Sequence, residues 1–488
     1  MSVTDRIVDG FKAMFGARIV YNAVNGLLML LLARVFLTPD EYGLLYLVIA
    51  IIGIGQLFAD LGLSRSAARY VSEYKESDPG SIPFIIRTTL KYRLLLVGLV
   101  AGVLLVGRGR IAALQGDPAI APLLVVGAGC LVFQSLYSFP EFLFQGFNRV
   151  RLSALLEVVH SVTRAVFVVV LILLGFGVAG ALLGYMIGAL VATTLGLGIL
   201  YRECYRVYED RGGSRSLRDR ILKYGVPLTA SSGANVIDKR IDTVLVGYFL
   251  NPAAVGYYVI SKQITSFVLV PAASLGFSVS PTYGEQKATE SLDRAARIYE
   301  NTLQYVLLMY VPAAVGVFIV AEPTIELMLG PEYGGAAPVL QVLGVYMVFS
   351  SITSVTTNGL DYLGRASDRA VAKGVTAVAN AILNIVLIPR FGVTGAAIAT
   401  VVTYGIYTFV NMYIMYVELP LDLAHLGRPL AITSAISVGM GVGVMVLVPY
   451  VSSLFALTGV IAVGVLIWAT LAVLSGLIDV RETMARLS

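Results

Sequence analysis

Apolar runs of about 20 residues, each long enough to cross a hydrocarbon core of about 30 Å as a helix, recur from one end of this chain to the other. At 488 residues the chain could otherwise hold two or three soluble domains, but it is 57% hydrophobic and only 13% charged. Its mean hydropathy is +0.83. The composition and the runs together describe an all-α, polytopic membrane protein. Cutting at Pro, Gly and charge clusters gives about 14 transmembrane helices. They fall near 17–37, 42–62, 85–106, 119–142, 152–174, 178–200, 224–250, 254–280, 298–320, 336–357, 370–388, 393–416, 429–450 and 454–476. Polar residues precede the first run in "MSVTDRIVDGFKAMFG", without the small-residue pattern of a cleaved signal, so the first span is expected to be retained.

Placing the N-terminus in the cytoplasm leaves 27 of the 35 Lys and Arg residues at or beside cytoplasmic segments. Only Arg108, Arg110 and Arg390 fall on the other side, and Arg34, Arg164, Lys239, Arg240 and Lys262 stay within spans. That asymmetry sets both termini in the cytoplasm of a multi-pass protein of the cell membrane. The richest segment, 201–223, holds seven basic residues, where topology alone demands charge. It lacks the interleaved aromatics of a nucleic-acid module, so no nucleic-acid partner is expected. Cys130 and Cys204 are the only cysteines, which suggests neither a disulfide framework nor a metal cage.

The chain writes the same punctuation twice. "FLTPDEYG" at 36–43 returns 213 residues later as "FLNPAAVG" at 249–256, and "FGVAGA" at 176–181 returns after 215 as "FGVTGA" at 391–396. "YVSEYKES" from Tyr70 has a looser echo in "YGEQKATES" from Tyr283, and Arg149 stands 216 residues before Arg365. Such constant spacing describes a duplicated six-span unit. Six is even, so both copies enter the membrane in the same direction, as in parallel-repeat transporters. The expected organisation is an N-terminal six-helix lobe at 1–200, a basic linker at 201–223, a second lobe at 224–416, and an extra two-helix hairpin with a cytoplasmic tail at 417–488.

Ionisable groups near a bilayer centre cost about 2.5–3.5 kcal/mol on insertion scales, so those retained need a partner or water. In the fifth span Ser153, Glu157, His160 and Arg164 follow steps of four, three and four on one helical face. At an offset of 216, Arg369, Lys373, Thr376 and Asn380 repeat the stripe. Arg18, Asn22 and Asn25 align at 213 with Ser231, Asn235 and Asp238, and Asp242 extends the second stripe by a turn. Two such stripes imply a hydrophilic central cavity between the lobes. "DKRID" at 238–242 either neutralises itself through Lys239 and Asp242 or lines that cavity. Lys262, two turns below its outer turn, is a cavity candidate, whereas Arg34 lies close enough to the surface to snorkel. Asp60, Arg65 and Glu141 sit at span ends and are expected to orient hairpins. His160 either titrates near neutral pH or is a hydrogen-bonded structural residue beside Glu157.

The chain carries no phosphate-binding G-x-x-x-x-G-K-[ST], H-E-x-x-H, Cys-x-x-Cys or G-x-S-x-G pattern, and no loop is large enough for a nucleotide site. It is therefore expected not to be an enzyme and to use no cofactor, with Na⁺ or H⁺ as candidate coupling ions.

The stretches 33–74, 240–264 and 389–406 resemble the polysaccharide-biosynthesis flippases of the multidrug/oligosaccharidyl-lipid/polysaccharide exporter superfamily, and the likeness covers nearly the whole chain. The resemblance implies two lobes that open alternately and the export of a polyprenyl-linked glycan. It further implies partners in the lipid-linked glycan, membrane lipid, and glycosyltransferases or a polymerase of the same pathway. Asp242 matches the aspartate of the family's "D-x-x-x-x-G" opening of the second lobe. A (pyro)phosphate head group calls for cations, for which Arg18, Arg164, Lys239, Arg240 and Lys262 are the candidates. Asn22, Asn25, Glu157, His160, Asn235, Asp238, Asp242, Lys373 and Asn380 are the polar or ion-coupling candidates. Two other functions stay open: an ion-coupled exporter of drugs or organic cations resting on Asp238 and Asp242, and a non-transporting scaffold for glycan-synthesis enzymes.

Overall fold

The computed structural model describes residues 3–477, with side chains except at 3–11, 226–228, 230–232 and 423–426. Ser231 of the expected stripe and the expected cytoplasmic tail thus lie outside what is described. Among the described residues there are helices and turns but no strands. Contacts divide the chain at Val255/Gly256 into two compact units.

The first unit contains α1 (Val3–Leu31), α2 (Pro39–Asp60), α3 (Leu63–Ser77), α4 (Ile82–Leu114), α5 (Ile120–Gly146), α6 (Val150–Leu171), α7 (Gly177–Leu200) and α8 (Arg215–Phe249). From α9 (Pro252–Val268) onward come α10 (Val270–Ala288), α11 (Leu292–Leu329), α12 (Ala337–Tyr362), α13 (Ala366–Phe391), α14 (Val393–Glu418), α15 (Leu423–Leu447) and α16 (Leu454–Leu474). Among the described residues, eleven helical stretches are long and apolar enough to span a membrane, or twelve if the bent pair α9–α10 counts as one. The other two of the fourteen expected spans fall on α8, which carries four charges at 238–242, and on Val150–Tyr205, one continuous apolar stretch of 56 residues that holds both α6 and α7. The span expected at 254–280 is built as α9 and α10, bent by 46° to one another. Pro271 at the start of α10 has no N–H to donate to the preceding turn, which breaks the helix there.

The repeated punctuation has a repeated geometry. At the first octet Thr38 caps α2, its hydroxyl accepting from Glu41 N at 3.4 Å while Glu41 Oε2 accepts from Thr38 N at 3.0 Å. At the second, Asn251 Oδ1 accepts from Ala254 N at 2.9 Å. Both octets then place Pro at the first helical position, where its missing N–H costs nothing. In "FGVAGA" and "FGVTGA", Gly177 and Gly392 adopt nearly the same backbone, at φ 49°, ψ −132° and φ 61°, ψ −146°. Three residues on, Gly180 and Gly395 let helices close so tightly that a Cβ would meet the backbone of Leu171 and Leu387. The start of α6 and the start of α13 match too, with Asn148 and Gly364 both at positive φ. Arg149 then pairs with Glu203, and Arg365 with Glu418.

The core of the first unit gathers Tyr70, Ile82, Phe139, Phe144, Leu156 and Ile221. Within it Arg93 is fully buried and bonded to Asp60, Ser64 and the Ser135 carbonyl, so Asp60 does more than orient its hairpin. The second unit packs Tyr283, Tyr299, Tyr310 and Met347. The last two helices, α15 and α16, lie on α11 through Val320, Met440, Val444 and Leu457, and Trp468 Nε1 donates to the Leu308 carbonyl at 3.0 Å.

Candidate functional site

In the first unit the stripe of α6 meets α1. Arg164, only 5% exposed, donates from Nη2 to Asn25 Oδ1 at 2.7 Å. Its guanidinium lies 5.0 Å from the Tyr185 ring and 6.0 Å from that of Tyr21. Such rings stabilise a cation out of water. Arg164 fits because Gly188 of α7 crosses it with no side chain: a Cβ there would stand 2.8 Å from Arg164 Cα. Arg164 Nε remains without a hydrogen-bond partner.

Arg240, from α8, has Tyr185, Tyr46 and Tyr21 as electrostatic neighbours, two of them the rings that hold Arg164. Gly53 of α2 makes room for it, since a Cβ there would lie 3.1 Å from Arg240 Nε. A turn back along α6, His160 is buried, stacked on Tyr137 at 4.6 Å, with Nε2 unpartnered. Glu141 and Glu157 neighbour each other and Arg18. One unit therefore joins Arg18, Asn25, Glu157, His160, Arg164 and Arg240, drawn from α1, α6 and α8. Glu141, expected only to orient a hairpin, joins them as well.

On α8 the remaining candidates divide by exposure. Asp242 is 1% exposed, Asp238 is half-buried, and Asn235 and Lys239 are exposed. Asn22 is half-buried on α1.

In the second unit the candidates converge on one stripe of α14, made of Thr400, Thr403, Tyr404 and Tyr407. Lys373, 8% exposed, sits 4.7 Å from the Tyr404 ring and 4.9 Å from that of Tyr407. Asn380 Nδ2 donates to Thr403 Oγ1 at 3.2 Å. Lys262 lies 5.0 Å over Tyr258, whose hydroxyl is 3.0 Å from Thr400 Oγ1.

The tyrosines are what sequence reasoning missed. A signal existed: Tyr21 stands three residues after Arg18 and four before Asn25, and Tyr404 and Tyr407 continue the helical spacing of Thr400 and Thr403. Buried or half-buried guanidiniums and ammoniums faced by tyrosines, one with an unused N–H donor, can receive phosphate or carboxylate oxygens.

The family described as "Polysaccharide biosynthesis protein" matches residues 8–287, and that described as "MatE" matches residues 227–386. Agl15 of Haloferax volcanii, a probable low-salt glycan biosynthesis flippase, is 23% identical over 450 residues, covering 92% of this chain and 91% of its own. AglR of the same organism, a probable flippase, is 29% identical over 264 residues, covering 53% and 54%. Among solved structures, the lipid II flippase MurJ in an inward closed conformation superposes with a TM-score of 0.75 at 15% identity, over 95% of this chain and 98% of that one.

Proposed function

The chain belongs to the polysaccharide biosynthesis protein family, and on that premise we propose that it is a flippase for a polyprenyl-(pyro)phosphate-linked oligosaccharide or polysaccharide repeat unit. It moves this substrate from the cytoplasmic to the outer leaflet of the cell membrane by alternating access, with both termini cytoplasmic. The observation that carries the proposal is Arg164, a guanidinium buried among spanning helices with an unmet N–H and with Arg240 sharing its tyrosines. A charge so placed is costly unless something anionic uses it. The names of Agl15 and AglR support the same substrate class. The protein acts as a transporter without catalysis of its own. Na⁺ or H⁺ supplies the drive, with Glu141, Glu157 and Asp242 as the carboxylates able to take it up, and glycosyltransferases or a polymerase supply or consume the glycan.

The test is purified protein in sealed liposomes carrying a short-chain polyprenyl-pyrophosphate oligosaccharide, scored by how fast the head group becomes accessible to an external lectin. Acceleration over empty liposomes, lost in Arg164→Gln and Arg240→Gln at unchanged protein abundance, is the expected result. No acceleration with several glycans under Na⁺ and proton gradients would overturn it. The MatE match over residues 227–386 favours a second reading, an ion-coupled exporter of organic cations. Drug efflux lost in Asp242→Asn, with glycan export intact, would select it, whereas a scaffold would tolerate all three substitutions.

A further inference from the structure

Outside the charged cluster, the first unit has a groove of about 710 Å³ between α4 and the end of α7. A volume of this order accommodates a ligand of several hundred daltons. Its floor is hydrocarbon, with Leu94 of α4 and Leu197 of α7 among its residues, while its rim carries Arg87, Lys91, Tyr201 and Tyr205. A mostly apolar lining with two basic residues and two tyrosines suits an amphiphile better than a soluble metabolite.

We propose that this groove binds an anionic phospholipid, its phosphate at Lys91 and Arg87 and one acyl chain along the leucines. The charge complementarity is specific. Lys91 is exposed and has no hydrogen-bond or ion-pair partner among the described residues. Arg87 is tethered beside it by Asp210 at 3.1 Å, which orients one guanidinium edge and leaves the group more than half exposed. Arg206 stands 6.0 Å over Tyr201, which itself stacks on Tyr205 at 5.7 Å. Basic residues beside paired tyrosines at the end of a spanning helix match the chemistry of a lipid head-group layer. The groove runs from Ile86 to Leu95, about 14 Å at 1.5 Å per residue. Lys91 stands about 7.5 Å along that length at 1.5 Å per residue, so the head group takes its first half and the upper part of one acyl chain its second. Lys91 and Arg87 lie outside the Arg164 cluster, so the site is separate from the proposed transport path.

The test is native mass spectrometry of the full chain in detergent, with phosphatidylglycerol and phosphatidylcholine of identical chains as competing probes. The wild type is expected to retain phosphatidylglycerol preferentially. Lys91→Gln and Arg87→Gln should each cut that preference about five-fold, as expected for a basic residue near an anionic lipid. Arg297→Gln, an exposed basic residue on α11, should leave it unchanged. Leu94→Trp, which fills the floor, should reduce retention of both lipids. Equal retention of the two lipids by the wild type overturns the proposal without touching the flippase reading, because no translocation is measured. So does an unaltered preference in Lys91→Gln, or displacement by a polyprenyl phosphate at far lower concentration than by phosphatidylglycerol. If a variant is not monodisperse on gel filtration, the head-group contrast in the wild type and the conservative Lys91→Arg, expected to keep the preference, decide the matter.

Discussion

Arg164 and Asn380 occupy corresponding positions of the two copies, and their neighbours have diverged with them. Gly188 faces Arg164, whereas Thr403, 215 residues later, faces Asn380 and accepts its hydrogen bond. The charge stands where a glycine leaves volume for it, and the copy without that glycine carries a smaller amide. Gly188→Ala should therefore act on Arg164, because its Cβ would contact Arg164 Cα and Cβ, neither of which can swing aside. Overpacking of this kind costs about 1–3 kcal/mol. Thermal unfolding in detergent should show a lower midpoint for Gly188→Ala than for Gly198→Ala, where a Cβ meets open space. Equal midpoints would mean that α6 and α7 separate freely and that Arg164 is not tightly held. Arg164 itself was legible, because four polar residues at helical spacing in an apolar run mark a face. Its tyrosine rings were harder to single out, since 27 tyrosines are scattered through the chain. Arg93 shows the same limit: its partners Asp60, Ser64 and Ser135 come from three other helices, a pairing no spacing encodes.

At the scale of the helix, the duplicated landmarks were readable because they are local chemistry. A Thr or Asn before Pro caps a helix wherever it stands, and a Phe-Gly pair whose Gly takes positive φ closes a turn. Gly177 and Gly392 show how far this goes, since both take a backbone conformation that is essentially reserved for glycine. Gly177→Ala and Gly392→Ala should each destabilise by about 1–3 kcal/mol, and by similar amounts if the two copies share one architecture. A large loss in one and none in the other, measured as folded protein recovered after heating, would show that the matched angles are not matched constraints. The cap is a milder case. Thr38→Ala removes the hydroxyl that receives Glu41 N and should cost about 1 kcal/mol. The bend between α9 and α10 was less legible, although Pro271 is plain in the sequence. A proline inside an apolar run can be absorbed as a slight kink or can divide the helix, and the neighbouring packing decides which.

For the whole molecule, hydropathy and the repeat established the class of the chain. The run at 224–250 was recognisable as a span by its place in the repeat, although four charges at 238–242 lower its apolarity. The charges that make α8 a candidate for the site are the ones that weaken its hydropathy signal. The proposed orientation rests on the distribution of 35 basic residues, and a labelling experiment can examine it directly. The native thiols Cys130 and Cys204 are both buried, so a membrane-impermeant maleimide should find little in the wild type. Ser216 and Gly109 are exposed, one within the basic linker and the other near the far end of α4. Gly109→Cys should be labelled on intact cells, and Ser216→Cys only after the membrane is opened. The reverse pattern would invert the topology and place the groove of Lys91 in the outer leaflet. Labelling of both from outside would mean that one of the helices between them does not cross the membrane.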